Sequence, residues 1–404
     1  MPFPLTDIDL LCKVVDNYGD IGVVYRLARA LRALENPPRL RLVVDDLASF
    51  ARVAPGLDSS ASFQVFRGWT VVRWSAPDGT GDERAIEEFH RKKPRVVIEC
   101  FGCGRPDWLE AILFDPADPV PRLIVDLEYL SAEDFADDFH RLPSMTRSPL
   151  VRKVLFMPGF TAKTGGLILD GPFAGADGHA MGEEARQAAR AAARTAIRKA
   201  TAEELGLPTD ADRRFWVFVF GYERDFARIV QDLALFNAGK SILVLAAAGK
   251  SQGCFREAWE TAGKPFPVAF LPFLGQETWD AALSSADFSI VRGEDSFSRA
   301  CLADRPFLWQ AYPQDGRHQL VKVRAFLARL QPCLREEAFR EIEALFIAFN
   351  ERDRDEPATS GVESLFPVLH RYAESERGFA LFSELLRKNG DLAANLMTYL
   401  TEIV

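Results

Sequence analysis

Apolar residues in this chain fall in short runs, separated by polar turns and by stretches with helical spacing. "LLCKVV" (10–15) predicts a strand and "DNYGDIG" (16–22) a turn. "VVYRLARALRAL" (23–34) sets Val24, Leu27, Leu31 and Leu34 on one face at spacings of three and four, which predicts an amphipathic helix. Further strands are predicted at 39–44, at "FQVFR" and "TVVRW", and at 95–101, 122–129 and 151–157, with helices between them and one near 83–91. Strands this apolar are buried on both faces, so the pattern is α/β with a parallel sheet covered by helices.

The stretch 182–206 is rich in Ala and Arg and favours a helix, ended by Gly206 and Pro208. Its charges read as a solvated face, and the segment as a connection between domains. Strand–helix alternation then restarts, with strands at 215–222, 241–247, 268–274, 288–293 and 306–311. From about 318 the chain reads as helical. The expected architecture is two Rossmann-like domains facing a cleft, 1–206 and 207–376, with C-terminal helices 377–404 able to pack back on the first.

A length of 404 residues exceeds one ordinary core and supports two domains. The net charge of −9 argues against a broad phosphate-binding surface, so no nucleic-acid partner is expected. No apolar run reaches the roughly 18 residues of a membrane span, and the opening residues lack a signal-peptide pattern. A cytoplasmic, soluble protein is expected. The six cysteines include one C-x-x-C, Cys100 and Cys103, without a second pair. That spacing alone is weak evidence for zinc, and no metal or other cofactor is expected.

Three constellations could carry chemistry. Asp16-Asn17-Tyr18-Gly19-Asp20-Ile21-Gly22 lies between the first strand and first helix, at the carboxyl end where open α/β sheets bind ligands. Its two carboxylates could supply a base and an orienting partner. The plainer reading is a turn with an aspartate capping the helix. The loop is neither G-x-G-x-x-G nor a P-loop, so neither a dinucleotide nor a nucleoside triphosphate is indicated. In the second domain, Arg292-Gly293-Glu294-Asp295-Ser296 follows a strand and opens a helix. Helix amides and Arg292 suit a diphosphate, and Glu294 suits sugar hydroxyls. The alternative is that Asp295 or Ser296 caps the helix and Arg292 pairs with Glu294. The third constellation is aromatic: Phe220, Tyr222, Phe270 and Phe273 stand at strand ends, with Gln276 nearby to meet a base edge. Aromatics in strands are more often core.

Taken together, "CKVVDNYGDIGVVYRLARAL" (12–31), "ECFGCGRPDWLEAI" (99–112), "DLEYLSAEDFADDFHRLPS" (126–144), "PGFTAKTGGLILD" (158–170), "VFGYE" (219–223) and "VRGEDSFSRACLADRPFLWQAYPQDGRH" (291–318) resemble the EarP family, the protein-arginine rhamnosyltransferases of elongation factor P. Lys13 and Gly221 stand where that family commonly has arginine and cysteine, and "FGCGRP" replaces "FGCELP". The resemblance implies a GT-B glycosyltransferase with dTDP-β-L-rhamnose as donor, inversion at the anomeric carbon and elongation factor P as acceptor. It implies Asp20 as base, Asp16 as its partner, and Glu294, Asp295 and Ser296 as donor contacts. Asn17, Tyr18 and Gly19 of the same loop are expected to contact the donor, and Tyr312 and Gln314 would close the donor pocket. Two other readings are a GT-B nucleotide-sugar transferase with a lipid or small-molecule acceptor, and a non-catalytic nucleotide-sugar-binding protein.

Overall fold

Two parallel sheets organise the chain in the computed structural model, which describes residues 7–15, 18–75, 82–174, 183–352 and 364–403. The chain divides into two units: Met1–Asp170 with Asn389–Val404, and Gly171–Lys388.

The first unit contains β1 (Asp7–Cys12), β2 (Arg39–Val44), β3 (Phe63–Phe66), β4 (Trp69–Arg73), β5 (Val96–Cys100), β6 (Arg122–Leu127), β7 (Pro143–Ser144) and β8 (Val151–Phe156). Their order is β3-β4-β2-β1-β5-β6-β8-β7. The six inner strands are parallel. The two edge strands run antiparallel. β3 and β4 are joined by Arg67 and Gly68 with φ of 49° and 83°, the paired positive φ of a tight hairpin. The inner order reverses direction between β1 and β5, which is the switch point of a doubly wound sheet.

β1 starts earlier and stops earlier than its apolar run suggests. Asp7 and Asp9 belong to the strand, and Asp9 is buried because Arg41 on β2 takes both its oxygens, at 2.5 and 2.9 Å. The following helix, Gly19–Ala33, absorbs half of the predicted turn. Its apolar face, with Val24, Leu27 and Leu31, packs on one face of the sheet with the helix Leu392–Ile403. The opposite face meets helices Glu83–Arg91 and Asp107–Leu113 through Phe89, Leu109 and Ile112.

The second unit contains β9 (Phe215–Val219), β10 (Ile242–Ala246), β11 (Val268–Phe270), β12 (Phe288–Arg292) and β13 (Phe307–Gln310). All are parallel in the order β11-β10-β9-β12-β13, with the switch between β9 and β12. β11 is shorter than its apolar run because Pro272 lies in it and cannot continue a ladder.

The boundary between units falls at Asp170 and Gly171, not at 206, and the chain returns to the first unit at Asn389 rather than 377. The Ala- and Arg-rich helix, Glu183–Glu204, therefore belongs to the second unit. Its arginines are not all solvated. Arg194 and Arg198 pair with Asp287 at 2.8 and 2.9 Å, and Arg198 also lies over Trp216.

Candidate active site

In the first unit, the carboxyl ends of β1, β5 and β6 bring Asp20, Phe101 and Tyr129 together. Asp20 sits in the first turn of helix Gly19–Ala33 and is 2% exposed. It is not the N-cap; that position belongs to Tyr18, whose side chain makes no capping bond. Asp20 Oδ2 accepts the backbone N–H of Val15 at 2.8 Å, and Oδ1 accepts the hydroxyl of Tyr129 at 3.0 Å. Both oxygens are thus oriented by groups outside the helix. Tyr129 stacks on Phe101, centroids 4.4 Å apart and planes 18° from parallel. Phe101 has φ +61°, an uncommon conformation for a bulky residue, and its N–H bonds to Leu127 O at 2.7 Å. Tyr129 was not singled out from the sequence. Asp16 and Asn17 lie outside the described residues.

Behind this group stand thiols and acids. Burial and the charge of Glu99 push the Cys103 thiol up to about 12, and burial raises Cys100 as well. Cys103 Sγ donates to Leu11 O at 3.4 Å. Protonated, hydrogen-bonded thiols are poor metal ligands and poor nucleophiles. Among the described residues, no group of three or more His, Cys, Asp or Glu is arranged to hold a metal. Glu128, half-buried, has its carboxyl raised by burial and then by the charge of Asp126.

In the second unit, the loops after β9 and β12 flank the switch point. Gly293 has φ +67° and is the N-cap of helix Glu294–Cys301, with no side-chain cap. Asp295 and Ser296 lie inside the helix, so neither caps it. Ser298 instead donates to Asp295 O at 2.8 Å. Arg292 places its guanidinium 4.7 Å from the rings of both Phe220 and Tyr222. Its Nε is buried without a hydrogen-bond partner, and among the described residues no carboxylate pairs with it. Glu294 forms its ion pair with Lys322, at 3.1 Å. A half-buried cation beside uncapped helix amides is an arrangement that suits an anion.

The remaining residues surround that point unequally. Gly221 N–H bonds to Ser251 Oγ at 2.9 Å and Tyr222 N–H to Gln310 Oε1 at 2.8 Å, which fixes the loop after β9. Tyr312, 52% exposed, packs edge-on against Tyr222 at 5.5 Å. Gln314 N–H bonds to Gln319 Oε1 at 2.9 Å. Phe273 is exposed beyond β11, and Gln276 is buried at the start of helix Gln276–Ser285. Phe270 lies under Arg256, 3.6 Å from its guanidinium, and edge-on to Trp259 of the same helix. Gln310 and Lys322 escaped the sequence reading; only their places, at the end of the last strand and in the helix after it, hinted at them.

The model of the family described as "Elongation-Factor P (EF-P) rhamnosyltransferase EarP" matches residues 8–401. The chain belongs to the EarP family. A protein-arginine rhamnosyltransferase of Pseudomonas putida is 38% identical over 85% of this chain and 86% of its own length. Another, of Pseudomonas aeruginosa, is 31% identical over 97% and 98%. The solved structure "Structural basis for EarP-mediated arginine glycosylation of translation elongation factor EF-P" covers 98% of this chain and 99% of its own, at 24% identity and a TM-score of 0.55. Arabidopsis thaliana UGT89C1 complexed with UDP covers 98% and 99%, at 12% identity and a TM-score of 0.50.

The fold is GT-B, with two Rossmann-like units. EarP membership makes the chain an enzyme, a glycosyltransferase that places rhamnose on arginine. These relatives give no support to a lipid or small-molecule acceptor, nor to a non-catalytic binding protein. Among the described residues, no helix is long and apolar enough to cross a membrane.

Proposed function

We propose that this chain transfers L-rhamnose from dTDP-β-L-rhamnose to one arginine side chain of translation elongation factor P, with inversion and without a catalytic metal or cofactor. The observation that carries the donor half is Arg292, a cation that among the described residues pairs with no carboxylate, at the β9/β12 switch point beside uncapped helix amides. That arrangement suits a diphosphate. Phe220, Tyr222 and Tyr312 supply aromatic surface for a nucleobase or sugar, and Glu294, Asp295 and Ser296 polar groups for donor hydroxyls and phosphate.

The acceptor half rests on Asp20. A guanidinium is protonated at ordinary pH and is a poor nucleophile. Asp20, its oxygens already oriented, aligns it and takes one N–H proton as a guanidinium nitrogen attacks the anomeric carbon. The new C–N bond forms from the face opposite the diphosphate. The C–O bond breaks, and its electron pair leaves with dTDP. Positive charge develops on the sugar, as in glycoside hydrolysis, and Arg292 stabilises the departing diphosphate.

Incubation with purified elongation factor P and dTDP-rhamnose should add one deoxyhexose mass to an arginine, read by intact mass and peptide mapping. Activity with GDP- or UDP-sugars but not with dTDP-rhamnose would overturn the donor. The reaction should run at full rate in EDTA; loss there, with rescue by a divalent ion, would overturn the metal-free mechanism.

A further inference from the structure

We propose that Tyr129, backed by Phe101, is a stacking platform that receives the acceptor arginine and delivers it to Asp20. This rests on the reading of Asp20 as the base. Three observations meet at this residue. Its hydroxyl donates to Asp20 Oδ1 at 3.0 Å, so the ring ends at the carboxylate. One ring face is covered by Phe101, 4.4 Å away. The residue is nevertheless 40% exposed.

An exposed aromatic held this firmly is unusual. Phe101 keeps a left-handed backbone, pinned by its N–H on Leu127 O, and that pose sets its ring against Tyr129. The hydroxyl bond fixes the other end. The result is a rigid plane whose edge touches the base.

A guanidinium is flat and weakly hydrated on its faces, and it stacks on aromatic rings while its N–H groups stay free in plane. Stacked on Tyr129, it directs those N–H groups along the ring toward Asp20. A lysine ammonium has no such plane. The platform therefore selects arginine over lysine and sets the angle at which the nitrogen approaches the sugar. Tyr129 holds one Asp20 oxygen in place and the Val15 N–H holds the other.

The test uses the full-length enzyme, dTDP-rhamnose and purified elongation factor P. Tyr129→Leu should raise KM for elongation factor P about 5- to 30-fold, the worth of a partly desolvated cation–π contact, while dTDP affinity and melting temperature stay as in the wild type. Tyr129→Phe keeps the plane and loses the hydroxyl. Its KM for elongation factor P should hold and its kcat should fall about tenfold, because the carboxylate loses a positioning donor. Tyr129→Trp should restore KM relative to Tyr129→Leu. Equal losses in Tyr129→Leu and Tyr129→Phe, or an unchanged KM in Tyr129→Leu, would overturn the platform. If Tyr129→Leu melts early, a wild-type kcat in Tyr129→Phe overturns the proposal by itself. Asp20→Asn separates the layers: full turnover there sinks the base assignment, whereas a dead Asp20→Asn beside normal Tyr129 variants sinks only the platform.

Discussion

Lys322 Nζ stands 3.1 Å from Glu294 Oε1. The pair is partly exposed, 41% and 30% by side chain, so its own contribution is modest, about 0.2–1 kcal/mol. Its consequence is positional: Glu294 is held by Lys322 while Arg292 lies over Phe220 and Tyr222. Arg292→Ala should weaken dTDP and dTDP-rhamnose binding together, by about 1.5–3 kcal/mol, as a charge-assisted partner of the diphosphate is lost. Glu294→Ala should weaken the sugar nucleotide more than dTDP. Lys322→Met should shift either affinity by less than about fivefold. Calorimetry with both ligands checks this, and identical losses for Arg292→Ala and Glu294→Ala with both ligands would refute the division of labour.

Asp20→Asn should reduce turnover by about 10²–10⁴ while leaving fold and donor affinity nearly intact. The amide can accept the Val15 N–H and donate to the Tyr129 oxygen, so both positions stay satisfied. It cannot take a guanidinium proton. Rates, a melting curve and a dTDP-rhamnose titration are measured together. Wild-type turnover would reduce Asp20 to a structural acceptor.

Gln310→Leu should destabilise the second unit by about 1–3 kcal/mol, because the buried N–H of Tyr222 loses its acceptor. The loop carrying Phe220 and Tyr222 loosens with it, so dTDP should bind more weakly as well. Thermal melts and calorimetry report the two effects; a lower melting temperature with unchanged dTDP affinity would disconnect this bond from the site.

How legible was all this beforehand? The alternation of apolar runs and helical spacing is dictated by burial, and it predicted both sheets and most strand centres. It could not reveal that Asp7 and Asp9 extend β1, because a buried aspartate reads as a breaker until Arg41 is seen opposite it. The loop carrying Asp20 announced itself by position. Tyr129 did not: it meets Asp20 across 109 residues, and nothing local marks a tyrosine whose hydroxyl has a distant partner. Phe270 shows the converse. An aromatic at a strand end looks the same whether it awaits a base or lies against Arg256 and Trp259, as this one does. The motif "PGFTAKTGGLILD" docks the returning chain: Leu392 N–H bonds to Leu167 O at 2.8 Å and Leu169 N–H to Asp391 Oδ1 at 2.7 Å.

Stability should depend on pH through His140. Burial first, and then the charge of Arg141, hold its imidazole down at about 4. The fold uses the neutral ring: Nδ1 accepts the N–H of Met157 at 3.1 Å. Because the folded value lies below the unfolded value of about 6.5, this contribution is complete above pH 6.5 and is lost as pH falls toward 4. Urea midpoints measured from pH 7.5 to 4 should decline, and His140→Asn, which keeps an acceptor but does not titrate, should decline less. Parallel curves for the two proteins would rule His140 out as the source.

The helix Leu392–Ile403 sits in the core of the first unit, with Leu392, Ala393, Leu396 and Leu400 buried in the cluster on one sheet face beside the helix Gly19–Ala33. A ribosome makes that helix more than two hundred residues after the sheet it completes. During synthesis the first sheet must wait, one hydrophobic face only partly covered, while the whole second unit emerges and can fold ahead of it. The order of completion is thus inverted relative to the order of translation, and the nascent first unit exposes apolar surface until the last helix arrives. A stop codon before Leu392 would therefore damage the half of the enzyme that was made first.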